Sequence, residues 1–286
     1  MNKRLQKQNS YIPILTTPAG GCLTLANWQE TGVQTVCLQL HILLLKPGVS
    51  LLNSLPNLKT YYGWQGTIVL DARLSPANNE GVYTILSPYD GSRVRIERRQ
   101  LVSLIITLHP DIVLLPDDFD VQFLSSAPKS ILPLIPPHEV YSISRDNSVY
   151  YVQYQPEMSF TNVLNQLKQY GKKVVYLAGD FALTELAPLA EYHLKIISDM
   201  PAKQALAGEV YSEGGLLEIH HIGMAHQHIT IEKHCACPTC QQKLTRAYLH
   251  HLFLHTPLLC QRFLIQHNVY YYQHALQKNI RITNTE

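Results

Sequence analysis

Charged residues are scarce in this chain. Asp, Glu, Lys and Arg make up only 15% of its 286 residues, against 46% hydrophobic ones. Such a chain can bury a large core, which excludes a wholly disordered protein. Long apolar runs are missing as well. The longest, over 36–45, is interrupted by Gln39 and His41 and falls short of the ~18 residues that a membrane-spanning helix needs. The first ten residues carry Lys3, Arg4 and Lys7 with no apolar stretch behind them. No secretory signal is therefore expected, and the cytoplasm is the expected compartment. Internal repeats and low-complexity tracts are also lacking. The length suits about two domains, or one the size of a barrel.

The net charge of +2 says little by itself. Residues 230–286 hold Lys233, Lys243, Arg246, Arg262, Lys278 and Arg281 against Glu232 and Glu286, a net +4 that leaves −2 for the rest. A mildly basic tail on a mildly acidic body permits contact with an anionic polymer. It fits a solvated helical surface equally well.

Three of the six cysteines, Cys235, Cys237 and Cys240, fall within six residues. A disulfide framework would spread them out, so the cluster points to a metal instead. Zinc suits three thiolates and one further ligand in a tetrahedron, and a site closed in this way is structural. The candidates for the fourth place are His234, His250, His251, His255, Cys260 and His267. His234 is adjacent to Cys235, which strains a shared tetrahedron. Helices are expected over 244–255 and 258–276. Packed antiparallel, they would bring His267 back over the cysteine turn, which favours it.

The middle of the chain alternates between strand and helix. Strands are expected over 66–70, 111–115, 148–155, 173–177 and 193–197, about six in all with the less regular segments. Helices are expected over 95–109, 160–170 and 181–192, the last shortened or kinked by Pro188. This rhythm predicts an α/β fold with a parallel sheet, (β/α) TIM-barrel-like and possibly incomplete. Two segments read as hairpins instead, 81–86 with 93–96 and 209–211 with 216–220. The Pro-rich stretch 131–137 reads as a rigid connector or an edge element. Asp71, Asp117 and Asp199 each follow a strand, where a barrel carries its active site. An Asp there also suits a helix cap or a turn.

The C-terminal third carries an ordered set of motifs: Cys235-x-Cys237-x-x-Cys240, then Thr245-Arg246-Ala247-Tyr248-Leu249-His250-His251, then His267-Asn268-Val269, then Ile280-Arg281. This set resembles the tRNA-guanine transglycosylase (queuine tRNA-ribosyltransferase) family. Weaker similarities run ahead of it in the family's order. They include Leu45-Lys46-Pro47-Gly48, Gly81-Val82 with Asp90-Gly91-Ser92, Val152-Gln153, and Tyr176-Leu177-Ala178-Gly179. The resemblance implies zinc on Cys235, Cys237, Cys240 and His267. It also implies exchange of guanine in tRNA for a 7-deazaguanine. Asp199 would be the nucleophile, Asp71 the general acid/base, and Asp117 and Gln153 would hydrogen-bond the base.

The departures from the family are as informative. Its Asp-Ser-Gly-Gly-Phe-Gln stretch reads Asp71-Ala72-Arg73-Leu74-Ser75, placing a long cation where glycines would admit the substrate. Its Gly-Gly-Leu-Ala-Val-Gly-Glu stretch has no counterpart between Gln155 and Tyr176. These losses support a second expectation, a non-catalytic paralogue that binds zinc and RNA or a catalytic partner subunit. A zinc-stabilised scaffold without a nucleic-acid role is a third. The family commonly dimerises, so a homo- or hetero-oligomer is expected. The expected domains are a barrel-like body over 1–229 and a zinc-binding helical subdomain over 230–286. Lys243, Arg246 and Arg281 could meet tRNA phosphates or be exposed helix charges. The run Tyr270-Tyr271-Tyr272 reads as helix packing or a subunit interface.

Overall fold

The computed structural model describes residues 9–134, 149–155 and 157–278. In chain order the elements are β1 (Ser10–Pro13), α1 (Leu25–Glu30), β2 (Thr35–Gln39), α2 (Leu40–Leu43), α3 (Val49–Ser54), α4 (Leu58–Tyr62), β3 (Thr67–Asp71), β4 (Val82–Leu86), β5 (Arg93–Glu97), α5 (Arg98–Leu108), β6 (Ile112–Leu114) and β7 (Leu132–Leu134). There follow β8 (Tyr150–Gln153), α6 (Phe160–Lys168), β9 (Val174–Ala178), α7 (Leu183–Leu189), β10 (His193–Ser198), α8 (Met200–Leu206), β11 (Glu209–Ser212), β12 (Gly215–Glu218), α9 (Pro238–Gln241), α10 (Arg246–His255) and α11 (Pro257–Lys278). Among the described residues, the chain forms two compact units. One draws on 9–13, 17–33, 153–155 and 157–278, the other on 14–16, 34–134 and 149–152.

The unit of 34–152 is built on a parallel sheet in the order β2-β3-β6-β7. Its strands are apolar on both faces: Ile68, Val69, Leu70, Ile112, Val113 and Leu114 are all fully buried, as covered parallel strands require. Register sets Gln39 beside Asp71 and Asp71 beside Leu114, so the acid stands at the C-terminal end of the sheet. Between β3 and β6 the chain inserts the β4–β5 hairpin and then α5. Helix α5 buries Leu101, Leu104, Ile105 and Leu108 on one face. Its start is fixed where Gln100 Oε1 accepts the Glu97 N–H at 3.0 Å. At the other end of the sheet, Asp111 takes the Ile68 N–H at 2.9 Å and the Lys59 ammonium at 2.8 Å.

In the other unit β1, β10 and β9 run parallel, with Ser10 beside Lys195 and His193 beside Val174. Tyr154 continues past β8 and donates its N–H to Ala178 O at 2.8 Å. Gly179 sits there at φ +154°, and a Cβ on it would stand 2.7 Å from the Tyr154 Cβ. Only glycine fits so close an approach. The long helix α11 packs against α7, α8, α9, α10, β1 and β11. Tyr272 anchors it, edge-on to Tyr11 at 5.3 Å, with its hydroxyl donating to Phe181 O at 3.2 Å. The tyrosine run therefore packs a helix at that position, as one of its two expected roles held.

Several boundaries differ from expectation. Residues 95–97 belong to β5, so the helix expected over 95–109 begins at Arg98. Helix α7 is shorter than 181–192 and holds Pro188 in its last turn. Both expected hairpins form, the second with a tighter turn at Glu213-Gly214. The estimate of about six strands is too low. Among the described residues there are twelve, eight of them outside the two hairpins. Three were overlooked: β1 and β7, only four and three residues long with Pro13 and Pro133 inside them, and β2, whose apolar run continues directly into α2. β7 is the described part of the Pro-rich stretch and comes last in its sheet, where a proline is tolerated. Residues 135–137 of that stretch, and Ile280 and Arg281, lie outside the described residues. No described helix is long and apolar enough to cross a membrane.

Candidate functional site

The cysteine turn and α11 converge on one point. Cys237 starts α9, its sulfur accepting the Cys240 N–H at 3.2 Å, and the Cys237 N–H points to the Cys235 sulfur at 3.4 Å. His267, fully buried on α11, turns Nδ1 toward all three sulfurs at 3.8, 3.4 and 3.4 Å from Cys235, Cys237 and Cys240. A tetrahedral zinc ion with ordinary bond lengths needs sulfur–nitrogen separations of about 3.6 Å. The four donor atoms lie within 4.8 Å of one another, so the group could hold a metal. The other ring nitrogen of His267 lies 2.7 Å from Tyr211 O, which takes its N–H and leaves Nδ1 as the ligand atom.

The chemistry of the donors agrees. Without a cation, His267 is pushed up to about 9: burial opposes the proton, and the Cys235 and Cys240 sulfurs outweigh it. Hydrogen bonds from Cys237 and Cys240 draw the Cys235 thiol well down. Both shifts come from the close approach of the donors to one another, an arrangement that favours a cation among them. The rival ligands are elsewhere. His250 Nδ1 is 2.8 Å from Ile219 O, and the Cys260 thiol donates to Leu249 O at 3.2 Å.

Next to His267, Asn268 is fully buried and uses both ends of its amide. Its oxygen accepts the Tyr211 N–H at 3.0 Å, and its nitrogen donates to Pro201 O at 3.1 Å and Glu209 O at 2.9 Å. The ligand-bearing helix therefore grips α8 and β11 directly after Asp199.

Asp199 directly follows β10 and is only 3% exposed. Its Oδ1 accepts the Thr17 hydroxyl at 2.9 Å, while Oδ2 is buried with no hydrogen-bond partner. Burial pushes its carboxyl up to about 6, against the Thr17 hydrogen bond and the Lys203 charge, with Asp180 adding to the rise. The side chain does not cap α8. Ser198 Oγ takes the Met200 N–H at 3.1 Å, and the next residue, Pro201, has no N–H to offer. Asp180 accepts the Ser198 hydroxyl, the Asp199 N–H and the Lys203 ammonium, the last at 2.7 Å. Burial raises its carboxyl, yet Lys203 and Ser198 hold it below the usual value.

Asp71 is placed quite differently. It is 6% exposed at the end of β3, and Arg73 grips it as a fork: Nε donates to Oδ1 at 2.7 Å and Nη2 to Oδ2 at 2.5 Å. The Arg73 N–H also donates to Oδ1, at 3.2 Å. The guanidinium stands 5.5 Å from the centre of the Tyr151 ring, and its Nη1 is buried without a partner. The Tyr151 hydroxyl in turn donates to Asp117 Oδ1 at 2.9 Å. Asp117 itself is exposed, as is Gln153 at the end of β8.

Residues 4–129 and 156–282 match the profile of the family described as queuine tRNA-ribosyltransferase. The chain belongs to this family. Its α/β fold with parallel strands is of the family's TIM-barrel-like class, with the Cys3His cluster near the C-terminus. A queuine tRNA-ribosyltransferase of Dinoroseobacter shibae is 32% identical over 78 residues, which are 27% of this chain and 20% of that relative. One of Syntrophobacter fumaroxidans is 38% identical over 73 residues, 26% of this chain and 19% of its own. In such alignments the chain spans about a fifth of the relative's length. One of Zymomonas mobilis is 19% identical over 333 positions, covering 97% of this chain and 85% of the relative. Gln153 and Tyr151 fall in the gap between the two family matches, whereas Asp71, Asp117, Asp199 and the cluster fall inside them.

Sequence reasoning missed Thr17, Ser198, Asp180 and Lys203 around Asp199. Thr17 is 182 residues away along the chain, and no local pattern announces it. Arg246, weighed as a phosphate contact, instead donates to Thr230 O, Ile231 O and Gln227 Oε1.

Proposed function

We propose that this protein is a tRNA-guanine transglycosylase-like protein that exchanges guanine in tRNA for a 7-deazaguanine. The observation that carries this reading is Asp199: a buried strand-end carboxylate, oriented through one oxygen by Thr17, with its second oxygen unpartnered. In this reading Oδ2 attacks the ribose C1′. The bond to the base nitrogen breaks with its electron pair on the base, leaving a ribosyl ester on Asp199. A 7-deazaguanine then gives up its ring N–H proton, and its nitrogen displaces Asp199 from C1′. Asp71 is assigned the proton transfers, and Asp117 and Gln153 the hydrogen bonds to the base. Cys235, Cys237, Cys240 and His267 are assigned a structural zinc ion, which fastens α11 to the cysteine turn. We assign the protein to the cytoplasm, residues 1–229 to a barrel-like body, residues 230–286 to a zinc-binding subdomain, and the working form to a homo- or hetero-oligomer.

A second reading is favoured by a specific observation. Asp71 is paired with Arg73, and Asp117 is hydrogen-bonded by Tyr151. The acid assigned the proton transfers and the acid assigned to the base are thus both engaged within the chain. This supports a non-catalytic paralogue that binds zinc and RNA or a catalytic partner subunit. Exchange of labelled guanine into bulk tRNA, wild type beside Asp199→Asn, separates the two. Label taken up by wild type and lost in the mutant is the outcome expected of the enzyme. Equal uptake by both discards Asp199 as nucleophile. No uptake by either, with tRNA binding that weakens as salt rises, is the outcome expected of the paralogue.

A further inference from the structure

The contacts on Asp71 and Asp117 have the form of a ligand's contacts. Guanine presents adjacent N1–H and N2–H donors, and a carboxylate accepts such a pair through its two oxygens. The Arg73 guanidinium presents Nε–H and Nη2–H in the same parallel fork, and places them on the two oxygens of Asp71. It also lies near the Tyr151 ring, whose hydroxyl holds the second acid, Asp117. The pair is not a solvated surface contact, since the Asp71 side chain is 8% exposed and that of Arg73 20%. The third guanidinium nitrogen is left buried and without a hydrogen bond. A cation held only for stability would be expected to satisfy that donor, as buried polar groups generally do.

We propose that Arg73 is a built-in competitor of the base, with Tyr151 as a lesser one: Arg73 occupies both oxygens of Asp71 and Tyr151 one oxygen of Asp117, so a guanine-type base gains the Asp71 carboxylate only by displacing Arg73. The proposal rests on the reading that Asp71, assigned the proton transfers, and Asp117, assigned hydrogen bonds to the base, both face the base. It makes Arg73 the residue that sets how readily that site takes a guanine-type base. The competition involves no covalent step. A donor edge of the incoming base replaces the donor edge of a side chain two residues from the acid.

Equilibrium dialysis of metal-loaded full-length protein against radiolabelled guanine tests it. Arg73→Ser is expected to bind guanine about tenfold more tightly than wild type, the effect of about 1.4 kcal/mol of lost competition. Arg73→Lys, whose single ammonium cannot form the fork, is expected to fall between them. Tyr151→Phe frees Asp117 by removing one hydroxyl, and is expected to tighten binding severalfold. It carries the test should Arg73→Ser fail to fold. Millimolar guanidinium added to Arg73→Ser is expected to refill the place and reverse the gain, which a merely structural arginine would not predict. Guanine bound equally or more weakly by Arg73→Ser and Tyr151→Phe overturns the proposal and leaves the base site standing. Guanine bound by neither wild type nor any folded variant overturns the base site and the proposal with it.

Discussion

Asp199 and Asp71 make an instructive pair. Each stands at the end of a parallel strand in its own unit, and each is almost fully buried, at 3% and 6% exposure. Their neighbours make them chemically unlike. Asp199 is touched at one oxygen by an uncharged hydroxyl, and the cation nearest in sequence, Lys203, is bonded to Asp180 instead. Asp71 receives a guanidinium on both oxygens. A carboxylate left bare in a low-dielectric site is costly to ionise and reactive once ionised, whereas one met by a fork of donors is stable and occupied. The contrast shows that an acid at a strand end is only a position. Its chemistry depends on what the next two or three residues do with it.

The largest effect should come from the metal cluster, which touches only one side of this comparison. Structural zinc binding is worth on the order of 10 kcal/mol in small domains. Chelation, or Cys237→Ser, is expected to release α9 and α11 and, through Asn268, the segment after Asp199. Hydrogen exchange should then rise over 199–211 and 235–278 and stay unchanged over 68–73. Protection lost equally in both places would show that the two acids share one cooperative unit.

Asp199→Asn is expected to lower guanine exchange by about 10³-fold or more, with little loss of fold, since it removes an unpaired charge from a buried place. Thermal melting beside the exchange assay checks both halves. The opposite balance is expected at Arg73. Arg73→Ser strands the Asp71 carboxylate without its partner and is expected to cost about 3 kcal/mol of stability, read from denaturant unfolding.

Titration should separate the acids further. Asp199 has its carboxyl raised to about 6 in the folded chain, against about 3.9 when unfolded. The folded state therefore binds more protons between these values. On this account the contribution is fully present below about pH 3.9 and is lost as pH rises through about 6, by up to about 3 kcal/mol. Asp180 acts in the opposite sense, since its folded value is lowered: its contribution is present above the unfolded value and lost in more acid solution. Unfolding measured from pH 3 to 7 in wild type and Asp199→Asn isolates the Asp199 part as a slope that the mutant lacks. The smallest change is expected from Thr17→Val, about 2 kcal/mol for two hydrogen bonds, the one the hydroxyl accepts from the Gly20 N–H and the one it donates to Asp199. Loss of the hydrogen bond to Asp199 should move the acid limb of the exchange–pH profile upward.

How much of this could be read in advance follows the distance over which each feature is built. The cysteine turn is local, six residues long, and declares its chemistry outright. His267 was reachable because the motif order pointed to it and because a helix returning over the turn could deliver it. Arg73 was visible as an intrusion where small residues belong, although its grip on Asp71 was not. Thr17, Asp180 and Lys203 converge on the end of β10 from three separate stretches of chain, and nothing in their own neighbourhoods distinguishes them. The strands β1 and β7 were lost because a proline interrupts each short run, and β2 because its apolar run passes into α2 with no turn residue between them.

The start of α8 has a further consequence. A helix beginning at a strand-end acid ordinarily enlists that acid, because its first N–H groups lack partners. Here one of those groups has been handed to Ser198 and another is absent, since residue 201 is proline. The two helical positions nearest Asp199 thus ask nothing of its side chain. Restoring a donor by Pro201→Ala, or orphaning one by Ser198→Ala, would create a rival suitor for the carboxylate within its own backbone. The freedom of Asp199 is thus written as two neighbours that make no demand on it.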